Sequence, residues 1–354
     1  MFFRNKGVVG IDIGSRFIKA VEVKESKKGY TLERFGIVSM PPELIVDGSI
    51  LDAPRIVDAI RRVIEEAKIK ARDTVLSVSG HSSVIVKRIT LAEMTDEELE
   101  ESIKFEAEQY VPFDIEDVNL DFQILGPSEQ PDQMDVVIVA VKREKMDEYV
   151  ATVQEAGLRP IIVDVDVFAL ENVYEVNYPI EADKNIALVN IGASSINMNI
   201  LQNGISIFTR DSAVGSNLHT EALQREFALS FEDAERLKTG QPLEAEGISV
   251  PEEELSRVIS LASEDIYAEM TRSFDYCRNT TSYEEIHDIY IAGGAVLSKD
   301  FPVFLFDKLG VEPKILQPFK NIQIPKHIDK DYLHHVEPML AIATGLAIRR
   351  IGDR

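Results

Sequence analysis

The chain has 354 residues, 45% of them hydrophobic and 28% charged, and its 38 Lys and Arg face 61 Asp and Glu for a formal charge of −23. That is a globular composition with length for two or three domains, and its acid excess argues against nucleic acid or an anionic lipid surface as partner, since Lys and Arg hold both. The single cysteine, Cys277, rules out an internal disulfide, and "MFFRNKG" is too short for a secretory leader, so the reading is a soluble cytoplasmic protein.

In chain order, "GVVGIDIG" reads as a buried strand ending in a glycine turn, followed by two alternating strands, "RFIKAVEVK" and "YTLERFGIVSM". Phe2, Phe3 and Arg4 before them read as a frayed end, or as a contact to a membrane or partner. Asp52 caps a helix with Pro54 in its first turn and an apolar stripe of Ile56, Ile60, Val63, Ile64 and Ala67. "TVLSVSG" is a further strand. Thr95 and Glu98 form a capping box for "DEELEESIKFEAEQYV", which Pro112 stops. Elements in the order β-α-β-β-α-β over residues 84–166 predict a small α/β subdomain inserted in the first half.

After a helical "DVFALENVYEV", the opening recurs. "NIALVNIG", "SINMNILQ" and "GISIFTRDS" repeat the three strands, with Asn190 standing 178 residues after Asp12. Five Asn and Gln residues argue against a membrane span between Asn185 and Thr209. A repeat at this distance means duplicated domains. Helices at "NLHTEALQREFA" and from Phe231 to Lys238 follow, then a polar loop, a long helix from Glu253 to Cys277, a buried strand ending at Gly293-Gly294, a helix at "KDFPVFLFDKLG" and a last buried helix holding Gly345. The predicted division is 1–83, 84–166, a second core from 167–215 with 285–354, and a small subdomain at 216–284.

Two strand–glycine–strand hairpins offer turn N–H groups to phosphate oxygens. Gly14 and Ser15 belong to the first; Gly192, Ala193, Ser194 and Ser195 to the second, with Gly215 after its third strand. Asp12 is placed to hold Mg²⁺ through water, and Lys19 to reach terminal phosphates. Glu235 and Lys238 share a helix face and suit a ribose. Gly293, Gly294 and Ala295 let a base lie against backbone. Singly, each has a plainer reading: a turn, a close strand–helix approach, a solvated pair. Neither the six histidines nor Cys277 shows metal or nucleophile spacing, and no Walker or Gly-x-Ser-x-Gly loop occurs.

The order of these elements resembles the actin-like ATPase superfamily over nearly the whole chain. That resemblance implies two duplicated ribonuclease-H-like domains with an inserted α/β subdomain. "IKFEAEQYVPFDIEDVNLDFQILG", with "VDVDVFALEN" and "FEDAERLK", resembles the PilM family of type IV pilus assembly proteins. The resemblance implies ATP or ADP with Mg²⁺ in the interdomain cleft. It also implies a groove for the N-terminal tail of the membrane protein PilN, between the first subdomain and the insert. Recruitment to the cytoplasmic face of the inner membrane follows, with pilus motor ATPases and the platform protein as further neighbours. The acidic face of Glu97, Glu100, Glu101 and Glu108 reads either as solvated or as a guide for a basic tail.

Asn190 stands where the superfamily's second hairpin often carries an acid. An amide positions water but takes no proton, which leaves Asp164 and Asp166 as candidates to activate it. The expectation is an ATP-binding scaffold with slow or no hydrolysis. The alternative is an FtsA-like filament or membrane tether. Against it, "AIRRIGDR" shows no amphipathic tail, so direct membrane insertion is not expected; self-association stays open.

Overall fold

The computed structural model describes residues 7–244, 249–281 and 285–353. Phe2, Phe3 and Arg4, and residues 245–248 of the polar loop, lie outside them. The first half opens with β1 (Val8–Ile13), β2 (Phe17–Ser26), β3 (Gly29–Ser39), the short pair β4 (Ile45–Val46) and β5 (Ser49–Ile50), α1 (Ala53–Glu66) and β6 (Asp73–Val78). Next come β7 (Val84–Ala92), α2 (Asp96–Ala107), β8 (Val118–Pro127), β9 (Gln133–Lys142), α3 (Arg143–Glu155) and β10 (Arg159–Val165). The bridging helix α4 (Asp166–Asn177) leads to β11 (Asn185–Ile191), β12 (Ile196–Gln202) and β13 (Ile205–Ser212). Helices α5 (Asn217–Phe227), α6 (Phe231–Lys238) and α7 (Glu252–Thr280) precede β14 (Asp288–Ala292), α8 (Phe301–Leu309), β15 (Pro313–Ile315), α9 (Lys330–Val336) and α10 (Ala341–Ile348).

Two five-stranded sheets repeat one plan. Their orders are β10-β6-β1-β2-β3 and β15-β14-β11-β12-β13, three antiparallel strands with two parallel ones beside the first. The expected stretch Asn185–Thr209 thus forms strands, and among the described residues no helix is long and apolar enough to cross a membrane. The predicted caps also form: Asp52 accepts from Arg55 N, and Thr95 and Glu98 bond reciprocally.

The segment 84–166 is divided differently from the sequence reading. β7, β9 and β8 make a separate sheet covered by α2, but β10 pairs in parallel with β6. Tyr149 and Val153 of α3 pack with α1 in the first core. The insert is therefore residues 84–142. The element order alone hid this, because period-two alternation does not name a strand's neighbour. The long α7 is also shared. Leu255 and Ile259 pack with α5 and α6, whereas Ile266, Met270 and Phe274 pack under the second sheet.

Each half covers its sheet with a helix that chain order assigns to the other half. α4 leaves the first sheet and packs on β11 and β12; α10 follows the second sheet and packs on β1 and β2. The two helices meet where Gly345 lies against the Ala169 carbonyl, with no room for a Cβ between them. Alanine is the better helix former by about 1 kcal/mol, but here its methyl would displace backbone. Gly345→Ala is expected to lower stability by about 2 kcal/mol or more in urea unfolding; an unchanged midpoint would show that this contact is not tight.

Candidate functional site

The two duplicated hairpins stand tip to tip across a cleft of about 550 Å³. The turns are built alike: Gly14 N donates to Phe17 O at 3.1 Å, and Gly192 N to Ser195 O at 2.8 Å. Ser194 Oγ donates to Ser15 Oγ at 2.8 Å, joining the tips. The second hairpin is also held from behind, by Ser216 N to Gly192 O at 3.0 Å and Asn217 N to Ala193 O at 2.8 Å.

At matching register the two halves differ. Asp12 faces Lys19 in the first and Asn190 faces Asn197 in the second. Lys19 Nζ lies 2.7 Å from Asp12 Oδ2. Burial pushes the Asp12 carboxyl up; the Lys19 ammonium pulls against that and Asp166 adds to it. Asn190 donates to Asn197 Oδ1 at 2.9 Å, and Asn197 donates to Asp211 at 2.8 Å. Asp211 in turn accepts from Gly80 N of the first half at 2.8 Å. Burial pushes the Asp211 carboxyl up as well, against these two donors. An aspartate at 190 would therefore have no cation opposite it and a carboxyl nearby.

Glu235 and Lys238 also line the cleft. They pair with each other, and the Thr220 hydroxyl also donates to Glu235. Burial opposes ionisation of Glu235, but Lys238, Thr220 and Arg16 outweigh it and hold its carboxyl below the usual range. Burial lowers the Lys238 ammonium, with Glu235 resisting. Gly293 has φ +94°, and a Cβ there would strike the Ile191 carbonyl; its freedom serves the chain's own packing. Gly294 faces open space, with Met339 Cε 4.0 Å from where its Cβ would be.

Three expected residues lie elsewhere. Asp164 faces Arg349 at 3.2 Å, away from the cleft, and its other oxygen accepts from Val165 N. Asp166, which opens α4, is the acid of that pair that lines the cleft, and Ser77 Oγ donates to it at 2.5 Å. Ala295 is fully buried in the second core. Gly215 sits behind the second hairpin, where a Cβ would strike the Ala193 carbonyl. Sequence reasoning missed Arg16, which lines the cleft from the turn of the first hairpin. It also missed Lys145, whose buried ammonium has no hydrogen-bond partner and lies between the Gly48 and Gly80 loops. Burial lowers the Lys145 ammonium, against the pull of Asp166, Asp47 and Asp211.

The family model for the type IV pilus assembly protein PilM matches residues 10–351. The chain belongs to this family. A chain solved in a PilM–PilN type IV pilus biogenesis complex is 27% identical, with 97% of this chain and 98% of that one covered and a TM-score of 0.84. The ethanolamine utilization protein EutJ from Carboxydothermus hydrogenoformans is similar at 14% identity and TM-score 0.59, covering 97% and 89% of the two chains. MreB5 of Spiroplasma citri bound to AMPPNP is similar at 12% identity and TM-score 0.55, covering 97% and 95%. These last two speak for the fold alone, the actin-like two-domain fold expected from the repeat.

His219 of α5 is fully buried. Its ring nitrogens reach Ser298 at 3.2 Å and Ser263 at 3.0 Å, tying α5 to α7 and to the turn after β14. Burial, aided by the Lys238 charge, pushes its pKa down to about 3. The unfolded chain takes up this proton below about pH 6.5 and the folded chain does not, so stability is lost as pH falls toward 3, by about 1.4 kcal/mol per pH unit. In urea unfolding between pH 6.5 and 4.5, the stability of wild type minus that of His219→Gln should fall at about this rate. A constant difference would contradict the assignment.

Proposed function

We propose that the protein is a nucleotide-binding scaffold of the type IV pilus assembly machine, binding ATP or ADP in the cleft and the tail of a PilN-like membrane protein beside its insert. The observation that carries the nucleotide half is the pair of like-built turns meeting at Ser15 and Ser194. A polyphosphate between them receives turn N–H groups and hydroxyls from both halves, and so sets their separation. Lys19 adds charge from the return strand. Glu235 and Lys238 face the ribose, and Gly294 leaves a flat surface for the base.

The donor set fits Mg²⁺ held mostly by water and phosphate. Asp12 is a buried carboxylate with Lys19 beside it, and no group of three or more His, Cys, Asp or Glu makes a direct cage among the described residues. Mg²⁺ characteristically keeps waters and takes one or two carboxylates plus phosphates. Bound there, it would supply charge to the phosphates. Asp166 is placed to orient water and Asn190 offers an amide, so hydrolysis is expected to be slow.

The partner half rests on the likeness to the PilM chain of a PilM–PilN complex. The exposed acids Glu97, Glu100 and Glu101 of α2, with Glu108 just after it, complement a basic tail. Such a tail would hold the protein at the cytoplasmic face of the inner membrane, near the pilus motor ATPases and platform protein.

Two measurements test this reading. A labelled PilN-type N-terminal peptide should bind with different affinity to the apo, ADP and ATP states, and the peptide should change nucleotide affinity by the same factor. Equal peptide affinity in all three states removes the gating but keeps the scaffold. In single-turnover assays, wild type should release phosphate slowly and Asn190→Asp about tenfold faster. An unchanged rate would show that the amide does not limit hydrolysis.

A further inference from the structure

Arg16 lies in the turn of the first hairpin, between Ser15 and Phe17, and faces the cleft. Its Nη1 donates to Met40 O. Its Nε is buried and has no hydrogen-bond partner. The nearest acid is Glu235 of the opposite half, 3.7 Å away and out of hydrogen-bonding geometry. The guanidinium stands 4.8 Å from the Phe231 ring centroid, which steadies it over the gap.

Charge accounting along the cleft singles this residue out. Lys19 has Asp12, Lys238 has Glu235, and Arg236 has Glu244 as close partners. Glu235 is already claimed by Lys238 and Thr220, so it gives Arg16 only a loose attraction. Arg16 thus brings a positive charge that no carboxylate of its own matches, on the turn whose N–H groups face a phosphate. A buried guanidinium N–H without a partner costs free energy, and the planar fork is shaped for phosphate oxygens.

We propose that Arg16 is a polyphosphate-binding residue that exchanges partners: without ligand it leans across the cleft toward Glu235, and with a nucleoside di- or triphosphate it turns to the phosphate oxygens. This rests on the nucleotide reading above and adds a selectivity to it. The phosphates, rather than the nucleoside, recruit Arg16 and undo its cross-cleft contact. A ligand without them leaves the contact in place.

The test is titration calorimetry of the full chain with ATP, ADP and adenosine in Mg²⁺, on wild type, Arg16→Gln and Arg16→Lys, with melting temperatures in parallel. Arg16→Gln should weaken ATP and ADP about ten- to a hundredfold and leave adenosine unchanged within about twofold, with Arg16→Lys between. Equal ATP affinity in wild type and Arg16→Gln overturns the proposal, as does an equal loss for ATP and adenosine, which marks a purely structural clasp. Wild type that binds no adenine nucleotide overturns the nucleotide reading and this proposal together. The Arg16 Nε–H NMR signal of wild type gives a second measurement that needs no variant. It should shift with ATP and not with adenosine; an unmoved signal under saturating ATP overturns the proposal.

Discussion

The close crossing of α4 and α10 is the contact on which the rest depends. Each helix is fed by one half and packed on the other, and Gly345 brings their backbones together at Ala169. Protein interiors tolerate little compression, so this point resists sliding. The hairpin tips lie away from it, in the cleft between the halves.

The second half replaces an ion pair with an amide pair. Asp12 with Lys19 becomes Asn190 with Asn197 at the same register. Both arrangements are neutral overall, so the exchange is a paired one rather than the loss of a single acid. The amides pass their hydrogen bonds on to Asp211, and Asp211 reaches Gly80 at the root of the insert. One line of donors and acceptors therefore runs from the second hairpin to the loop that leads into β7. Lys145 lies close behind it, three residues beyond the end of β9.

Much of this architecture was legible because local chemistry and chain order agree. The hairpin repeat, the Asp52 cap and the Thr95–Glu98 box need only a few neighbouring residues, and all appear as read. What failed depended on distant partners. Asp164 and Asp166 share a face by period two, but the chain turns from strand to helix between them, and Asp164 finds Arg349 almost two hundred positions away. β10 looked like part of the insert until its pairing with β6 placed it in the first sheet. Gly215 and Gly293 were read as serving a ligand, yet each is required where backbone presses on backbone. Arg16 was hidden for the opposite reason: a turn cation is usually solvated, and only the facing half shows otherwise.

The root of the insert has a consequence for how this fold diversifies. Its first and last strands are neighbours: Val84 pairs with Val141, and Lys142 N donates to Ser83 O at 2.9 Å. A segment whose ends already touch asks almost nothing of its host in closure entropy. Its outer part, the far end of the sheet with α2, can be lengthened or reshaped, whereas Val84 and Val141 at its root belong to the first core and must stay. Selection can then reshape the far surface of this sheet while leaving the two five-stranded sheets and the cleft between them untouched.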